Sequence, residues 1–355
     1  MAIDGPAGPD TVSVALPGCP TEDLSGDAAL AAGLLPAMVL GEDLHVEGTV
    51  STRLLRQATT IQSIWSTWDR TLHPLVQTYR CVAVTAYATT SRRPEPSPTR
   101  GTACFFTLGV DSFHSAVAHR EELDALVYVH GFDVPLSATS FRAEVSERLR
   151  DAAALLGLPL LEIETDLRAL GDQTGVVWPE YHGAALATIA LLLAPRFSRV
   201  LVPATHTYGH LEGLGSHPLL DPLWSTDEVE VVHDGADATR VDKVRAVAGE
   251  EAARRHLRVC WENPDGAYNC GRCEKCVRTG VAIRIAGVEG RFDTVPPPSL
   301  RTVATTLPTG RGSEWADLRD DLRRSEPSPR LGAAIALARA RHRLARTPVA
   351  SRWFG

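Results

Sequence analysis

The chain has 355 residues, 44% hydrophobic and 22% charged, with a formal net charge of −7. That size and balance suit a soluble protein with a sizeable core in one large or two moderate domains, and the acidic balance argues against wholesale nucleic-acid binding. No run reaches the roughly 18 apolar residues of a membrane span. The start, Met1 to Pro6, lacks the basic head and apolar middle of a signal peptide, so a cytoplasmic location without membrane partners is expected.

In chain order, residues 1–26 are rich in Gly, Pro, Asp and Ser and are expected to be loosely ordered. With the residues up to 98 they form a small N-terminal accessory α+β domain. In it Met38–Leu40 and Leu44–Val50 read as short strands. Ser51–Arg70 carries helical spacing through Leu54, Leu55, Ile61, Ile64 and Trp65, and Tyr79–Tyr87 alternates as a strand. Ser91–Gly101 is a linker by composition.

Residues 99–290 then alternate strand and helix. Strand Cys104–Leu108 precedes helix Ser112–Glu122; Leu126–His130 precedes Ser140–Leu156; Leu160–Glu164 precedes Tyr181–Leu193; Val200–Pro203 leads into a long loop; and Val229–Val232 precedes Thr239–Ala248. Near-continuous apolar strands alternating with helices predict a doubly wound, Rossmann-like parallel sheet of five strands with helices on both faces. Ligands of such sheets bind beyond the strands' carboxyl ends, where the strand order switches. Four loops are therefore expected around one crevice: Gly109–Ser112, Gly131–Pro135, Thr205–Gly215 and the turn before Lys243. The polar groups Thr205, His206, Tyr208, His210 and Glu212 in the third of these suggest substrate contact, against the alternative of solvated loop histidines. Ser216–Trp224, rich in Pro and large apolar groups, is expected to pack over the site.

Residues 291–355 form a C-terminal helical extension, with helices at Ser313–Arg324 and Arg330–Arg346. From Arg319 onward it holds nine arginines against three acids. That face could meet tRNA or another polyanion; a solvated face is the alternative.

Two stretches carry chemistry. In Thr107-Leu108-Gly109-Val110-Asp111-Ser112 a Gly-containing turn joins the first apolar strand to a helix. The first-turn amides of that helix, aligned with its dipole, make an anion site, and Gly lets the backbone approach the ligand. Asp111 and Ser112 are also good helix-capping types, which is the competing reading. The second stretch is Cys260-x9-Cys270-x2-Cys273-x2-Cys276, four of the seven cysteines. Such clustering reads as a structural zinc knuckle, with an iron–sulfur cluster or redox-active sulfur as the alternative.

The basic residues are 34 Arg and two Lys, Lys243 and Lys275. Where Arg serves every generic positive charge, a retained Lys suggests a compact point charge on a phosphate, and Lys243 is assigned that role.

The loop resembles the Ser-Gly-Gly-x-Asp-Ser pyrophosphate loop of the PP-loop ATP pyrophosphatase family, departing at Leu108, where the family has Gly. The sheet followed by Cys-x9-Cys-x2-Cys-x2-Cys, clearest over residues 269–278, looks like the cyano-deazaguanine synthases of that family. The similarity spans roughly Ala103 to Gly287. The resemblance implies ATP, Mg²⁺ and Zn²⁺, with Thr107, Leu108, Gly109, Val110, Asp111 and Ser112 holding pyrophosphate. It further implies catalytic roles for Ser112, Asp111 and Lys243, and nucleotide contacts from His130, Phe132 and Thr205. The implied activity is that of an ATP-dependent ligase: adenylation of a carboxylate or amide oxygen of a small molecule, followed by amidation or nitrile formation. Two alternatives stay open: sulfur insertion using Cys104 as the thiol, and a catalytically inactive nucleotide- or tRNA-binding protein. A homo-oligomer is compatible with either.

Overall fold

The computed structural model describes residues 2–5, 8–17, 26–73, 75–91, 100–310, 312–326 and 328–345. Most of the composition-based linker 91–101, part of the loose start and Arg346 lie outside them. In the N-terminal part, β1 (Ala2–Gly5) and β2 (Gly8–Thr11) pair antiparallel, and β3 (Val14–Ala15) follows. Next come α1 (Gly26–Leu40), β4 (Leu44–Ser51), α2 (Thr52–Leu72) and β5 (Val84–Thr90). β4 and β5 pair in parallel across α2, making a small strand–helix–strand unit. Ser51 caps α2, its Oγ accepting from the Leu54 N–H at 3.4 Å.

Met38–Leu40 is the last turn of α1, not a strand. Leu30, Leu34, Leu35 and Met38 are all fully buried in α1, so this helix is apolar on every side and carries no 3.6-residue stripe to betray it.

The main sheet is built from β6 (Gly101–Phe105), β7 (Ala125–His130), β8 (Leu160–Thr165), β9 (Phe197–Pro203) and β10 (Glu230–Asp234). Its connecting helices are α3 (Val110–Ala118), α4 (Thr139–Leu156), α5 (Leu167–Thr174), α6 (Trp178–Leu192), α7 (Arg240–Val247) and α8 (Glu251–His256). The strand order is β10-β9-β6-β7-β8-β3. The five long strands are parallel, and the predicted sheet gains a sixth strand, the two-residue β3, antiparallel on the β8 edge. Two residues offer no periodicity to read. From β6 the chain first builds outward through β7 and β8, then returns to lay β9 and β10 on the other side, so the order reverses between β6 and β9.

Strand alternation divides the core in two. Phe105, Val127, Val129, Ile163 and Val202 join one cluster with Leu34, Trp65, Tyr181 and Ile189, so the N-terminal unit shares the core on this face. Tyr181 on α6 ties the two together, its hydroxyl donating to the Ala32 carbonyl at 2.8 Å. Cys104, Phe106, Leu126, Tyr128 and Leu201 point the other way, into a second cluster with Phe113, Val145, Val244 and Val277. The latter cluster continues into the C-terminal helices α9 (Glu274–Ile285), α10 (Leu300–Thr305), α11 (Ser313–Arg324) and α12 (Pro329–Ala345).

Candidate functional site

A cleft of about 340 Å³ opens where the strand order reverses, beyond the carboxyl ends of β6, β7 and β9. That volume suits a small molecule or nucleotide. Thr107, Gly109, Val110, Asp111 and Ser112 line it, as do Phe132, Asp133, Thr205, His206 and Ser216.

The loop after β6 is closed by Ser112. Its Oγ donates to the Gly109 carbonyl at 3.0 Å and accepts the Thr107 N–H at 3.2 Å, which folds the backbone tightly at the start of α3. Gly109 is the N-cap of α3 with no side chain to cap it, so the first-turn amides beside the cleft have no intrahelical acceptor. Leu108 adopts φ 62°, the left-handed backbone that a glycine would take at no steric cost. Its side chain is fully buried in the core cluster that also holds Phe106 and Phe113 and does not line the cleft, and its carbonyl accepts the Arg258 N–H at 2.8 Å. Leu108 therefore makes the sharp turn and anchors it in the core.

Asp111 is the electrostatic hinge of the loop. Its Oδ1 meets Lys243 Nζ at 3.1 Å and its Oδ2 meets Arg240 at 3.1 Å. Burial alone would raise the Asp111 pKa, but Arg240 and Lys243 outweigh it and hold the carboxyl well below its ordinary range. Thr239 starts α7 with a capping box, bonding to and from Asp242, which sets both cations on one helical turn facing α3.

Lys243 itself does not line the cleft. It is 1% exposed and its ammonium is spent on Asp111 and on the Ala204 carbonyl at 2.5 Å. The cleft is lined instead by Arg240 and by the other lysine, Lys275. Burial pushes the Lys275 amine's pKa down, opposed by Asp133 and Asp111.

His130 also stands elsewhere. Alternation along β7 turns it towards α4, where its Nε2 lies 2.9 Å from Glu162 and 3.3 Å from Ser146 Oγ, lining a separate surface hollow. Cys104 is fully buried within the core and does not line the cleft. Tyr208 is exposed, and His210 and Glu212 meet α11: His210 Nδ1 lies 2.5 Å from Asp317, and Glu212 accepts the Ser313 N–H at 3.3 Å.

The other end of the cleft is apolar: Phe105, Val127, Val129, Leu186 and the ring pair Phe132–Trp178, with centroids 5.0 Å apart. Arg168 stacks over Trp178 at 5.0 Å and donates to the Phe132 carbonyl at 2.7 Å. His182 lines the wall between the two ends, its Nδ1 3.0 Å from the Pro179 carbonyl and its Nε2 accepting the Ser216 N–H at 3.3 Å. Those contacts define a neutral ring, in keeping with the burial that lowers its pKa. Gly183 permits this wall: a β-carbon there would lie 1.9 Å from the Gly215 carbonyl oxygen. The expected cover segment contributes Ser216 to the lining and buries Leu220 and Trp224 beneath it.

The four cysteines converge. The Sγ atoms of Cys260, Cys270, Cys273 and Cys276 all lie within 4.8 Å of one another, and two of the pairs are 3.9 Å apart. A tetrahedral ion with Zn–S bonds of about 2.3 Å needs sulfurs about 3.8 Å apart. Backbone amides of Asn263, Cys273 and Cys276 donate to the sulfurs of Cys260, Cys270 and Cys273 at 3.2 to 3.4 Å, the arrangement that supports thiolate charge. Asn269 fixes the fold of the segment, accepting from the Val259 and Cys260 amides and donating to the Leu257 and Thr294 carbonyls. This set can hold a metal such as zinc. Cys260 also lines the cleft, so the knuckle forms part of its wall.

The C-terminal extension supplies another wall. Glu314 on α11 lines the cleft, paired with the buried Arg278 of α9 and 4.0 Å from His206. Burial would raise its pKa, but Arg278 and His206 draw it down to about 2. Trp315, fully buried, donates to Glu274 at 2.6 Å and locks α11 onto the knuckle helix.

The sequence reading missed Trp178, His182, Arg240, Lys275 and Glu314. Only Lys275 carried a signal, the rarity of lysine. No protein-family model matches the chain, and none of the curated proteins matches it. Among the described residues, no helix is long and apolar enough to cross a membrane.

Proposed function

We propose that this chain is an ATP-dependent ligase of the PP-loop type, with the five parallel strands as its doubly wound core. The observation that carries the reading is the convergence, at the reversal of strand order, of uncapped helix amides, the three cations Arg240, Arg258 and Lys275, and an aromatic slot on one cleft.

In this reading the amides of residues 109–112 and the Ser112 hydroxyl hold the pyrophosphate portion of ATP. Asp111 keeps Arg240 and Lys243 in place behind them, and Phe132 and Trp178 flank the base. A carboxylate or amide oxygen of the small-molecule substrate attacks the α-phosphorus, the bond to the bridging oxygen breaks, and pyrophosphate leaves. On an activated carboxylate, ammonia or an amine then attacks the carbon, loses a proton and expels AMP; an activated amide instead gives up its nitrogen-bound protons as its C–O bond breaks, leaving a nitrile and AMP. Positioning and charge neutralisation do most of the work in such transfers. Mg²⁺ would arrive on the phosphates and neutralise their charge; with Asp111 and Glu314 already paired, Asp133 is the cleft carboxylate left to meet it.

Sulfur insertion gains no support, since Cys104 lies in the core and the cleft-lining Cys260 belongs to the metal set. The second reading is a nucleotide-binding protein without turnover, marked by Leu108 at the family's glycine position, although Leu108 takes the left-handed backbone that glycine would and buries its side chain.

Pyrophosphate release screened over a carboxylate library, with wild type and Ser112→Ala, tests the proposal. A positioned donor of this kind is worth about 100- to 1,000-fold in rate. Equal activity of the two proteins removes the phosphate loop, whereas ATP binding without pyrophosphate release from any acceptor favours the second reading.

A further inference from the structure

Lys275 sits between two metal-set cysteines, in Cys273-Glu274-Lys275-Cys276, at the start of α9. Both neighbours in the chain are fixed: Cys276 by the sulfur cluster, and Glu274 by the indole of Trp315 and by Arg278. With its backbone held from both sides, the Lys275 side chain is left to line the same cleft as the 109–112 loop, within electrostatic reach of Asp111 and Asp133. Among the described residues, no carboxylate or carbonyl takes up its ammonium, in contrast to Lys243, which has two such partners. In a chain with 34 arginines, this cleft-lining position carries lysine, a compact point charge suited to a phosphate oxygen.

We propose that Lys275 is the residue that contacts the nucleotide's phosphates, and that the cysteine knuckle is the device that carries it there. This rests on the nucleotide reading above and moves the neutralising role from Lys243 to Lys275. Lys243 becomes a positioning residue that acts through Asp111.

With only two lysines in the chain, amine chemistry reads the site directly. Pyridoxal phosphate followed by borohydride is expected to label Lys275 in the native protein and to leave the buried Lys243 unmodified, with peptide mass spectrometry as the readout. Saturating MgATP or pyrophosphate is expected to suppress the Lys275 label at least tenfold. Calorimetry with Lys275→Met is expected to show ATP affinity reduced about 10- to 100-fold, the range of a hydrogen bond to a charged group, with partial recovery in Lys275→Arg. Zinc content and thermal unfolding should match the wild type in both variants.

ATP that binds the wild type while leaving Lys275 equally labelled, or that binds Lys275→Met as tightly, overturns the assignment and leaves the nucleotide reading intact. Absence of any ATP heat with the wild type overturns both.

Discussion

Leu108 sets two effects against each other. A left-handed backbone at a non-glycine residue costs roughly 1 to 2 kcal/mol, while deleting a buried leucine side chain costs about 2 to 5 kcal/mol. Here φ is 62° and the side chain is fully buried, so Leu108→Gly is expected to lower unfolding free energy by up to about 4 kcal/mol, measured by urea denaturation. A stabilised variant would mean that backbone strain outweighs packing. The same residue shows what local sequence can disclose. Thr107, Gly109, Asp111 and Ser112 were legible because a strand, a turn and a helix start are written in consecutive residues. Arg240 and Glu314 are brought to the cleft from more than a hundred residues away, and no local pattern announces them. Lys243 was misplaced for a related reason: spacing located it near a helix start, but only the fold shows that Asp111 intercepts it.

Among the elements, the cysteine knuckle is both the most legible and the most consequential. Its spacing implied converging sulfurs, and the sulfurs do converge. Metal binding at such a set is folding energy for the segment that supplies it. The protein is therefore expected to bind one zinc or cobalt per chain, with cobalt giving the intense sulfur charge-transfer absorption of a tetrahedral thiolate site. Cys273→Ser should weaken binding and lower the thermal midpoint, as should a strong chelator. A chain that melts identically with and without metal would deprive the knuckle of its structural role. The opposite case is α1, whose all-round apolar surface hid its period, so that Met38–Leu40 read as a strand. The edge strand β3 was equally silent. The strand β7 was legible because both of its faces are buried, which leaves a continuous apolar run.

For the molecule as a whole, the pairing of Glu314 with Arg278 joins the C-terminal extension to the knuckle helix and gives stability a pH dependence. The Glu314 carboxyl is shifted from about 4.5 to about 2 in the folded chain, so the folded state binds fewer protons than the unfolded one in that interval. Stability from this pair is fully present above the unfolded value and is lost as pH falls through the folded value. The contribution is on the order of 3 kcal/mol. Urea unfolding free energy is thus expected to begin falling below about pH 6.5, as His182 and other buried histidines must be protonated on unfolding, and to fall further below about 4.5, with the latter fall shallower in Glu314→Gln. An identical fall in both proteins would show that the carboxylate is not a source of the dependence.

The placement of Glu314 also bears on biogenesis. The cleft takes its walls from Phe105 through to Glu314, while the core strands that seat it are complete at Asp234. During synthesis, a nascent chain can assemble its sheet well before the final wall has been translated. The cleft is therefore walled in only once the tail has docked, and a ribosome stalled late in the message would leave it open on the Glu314 side.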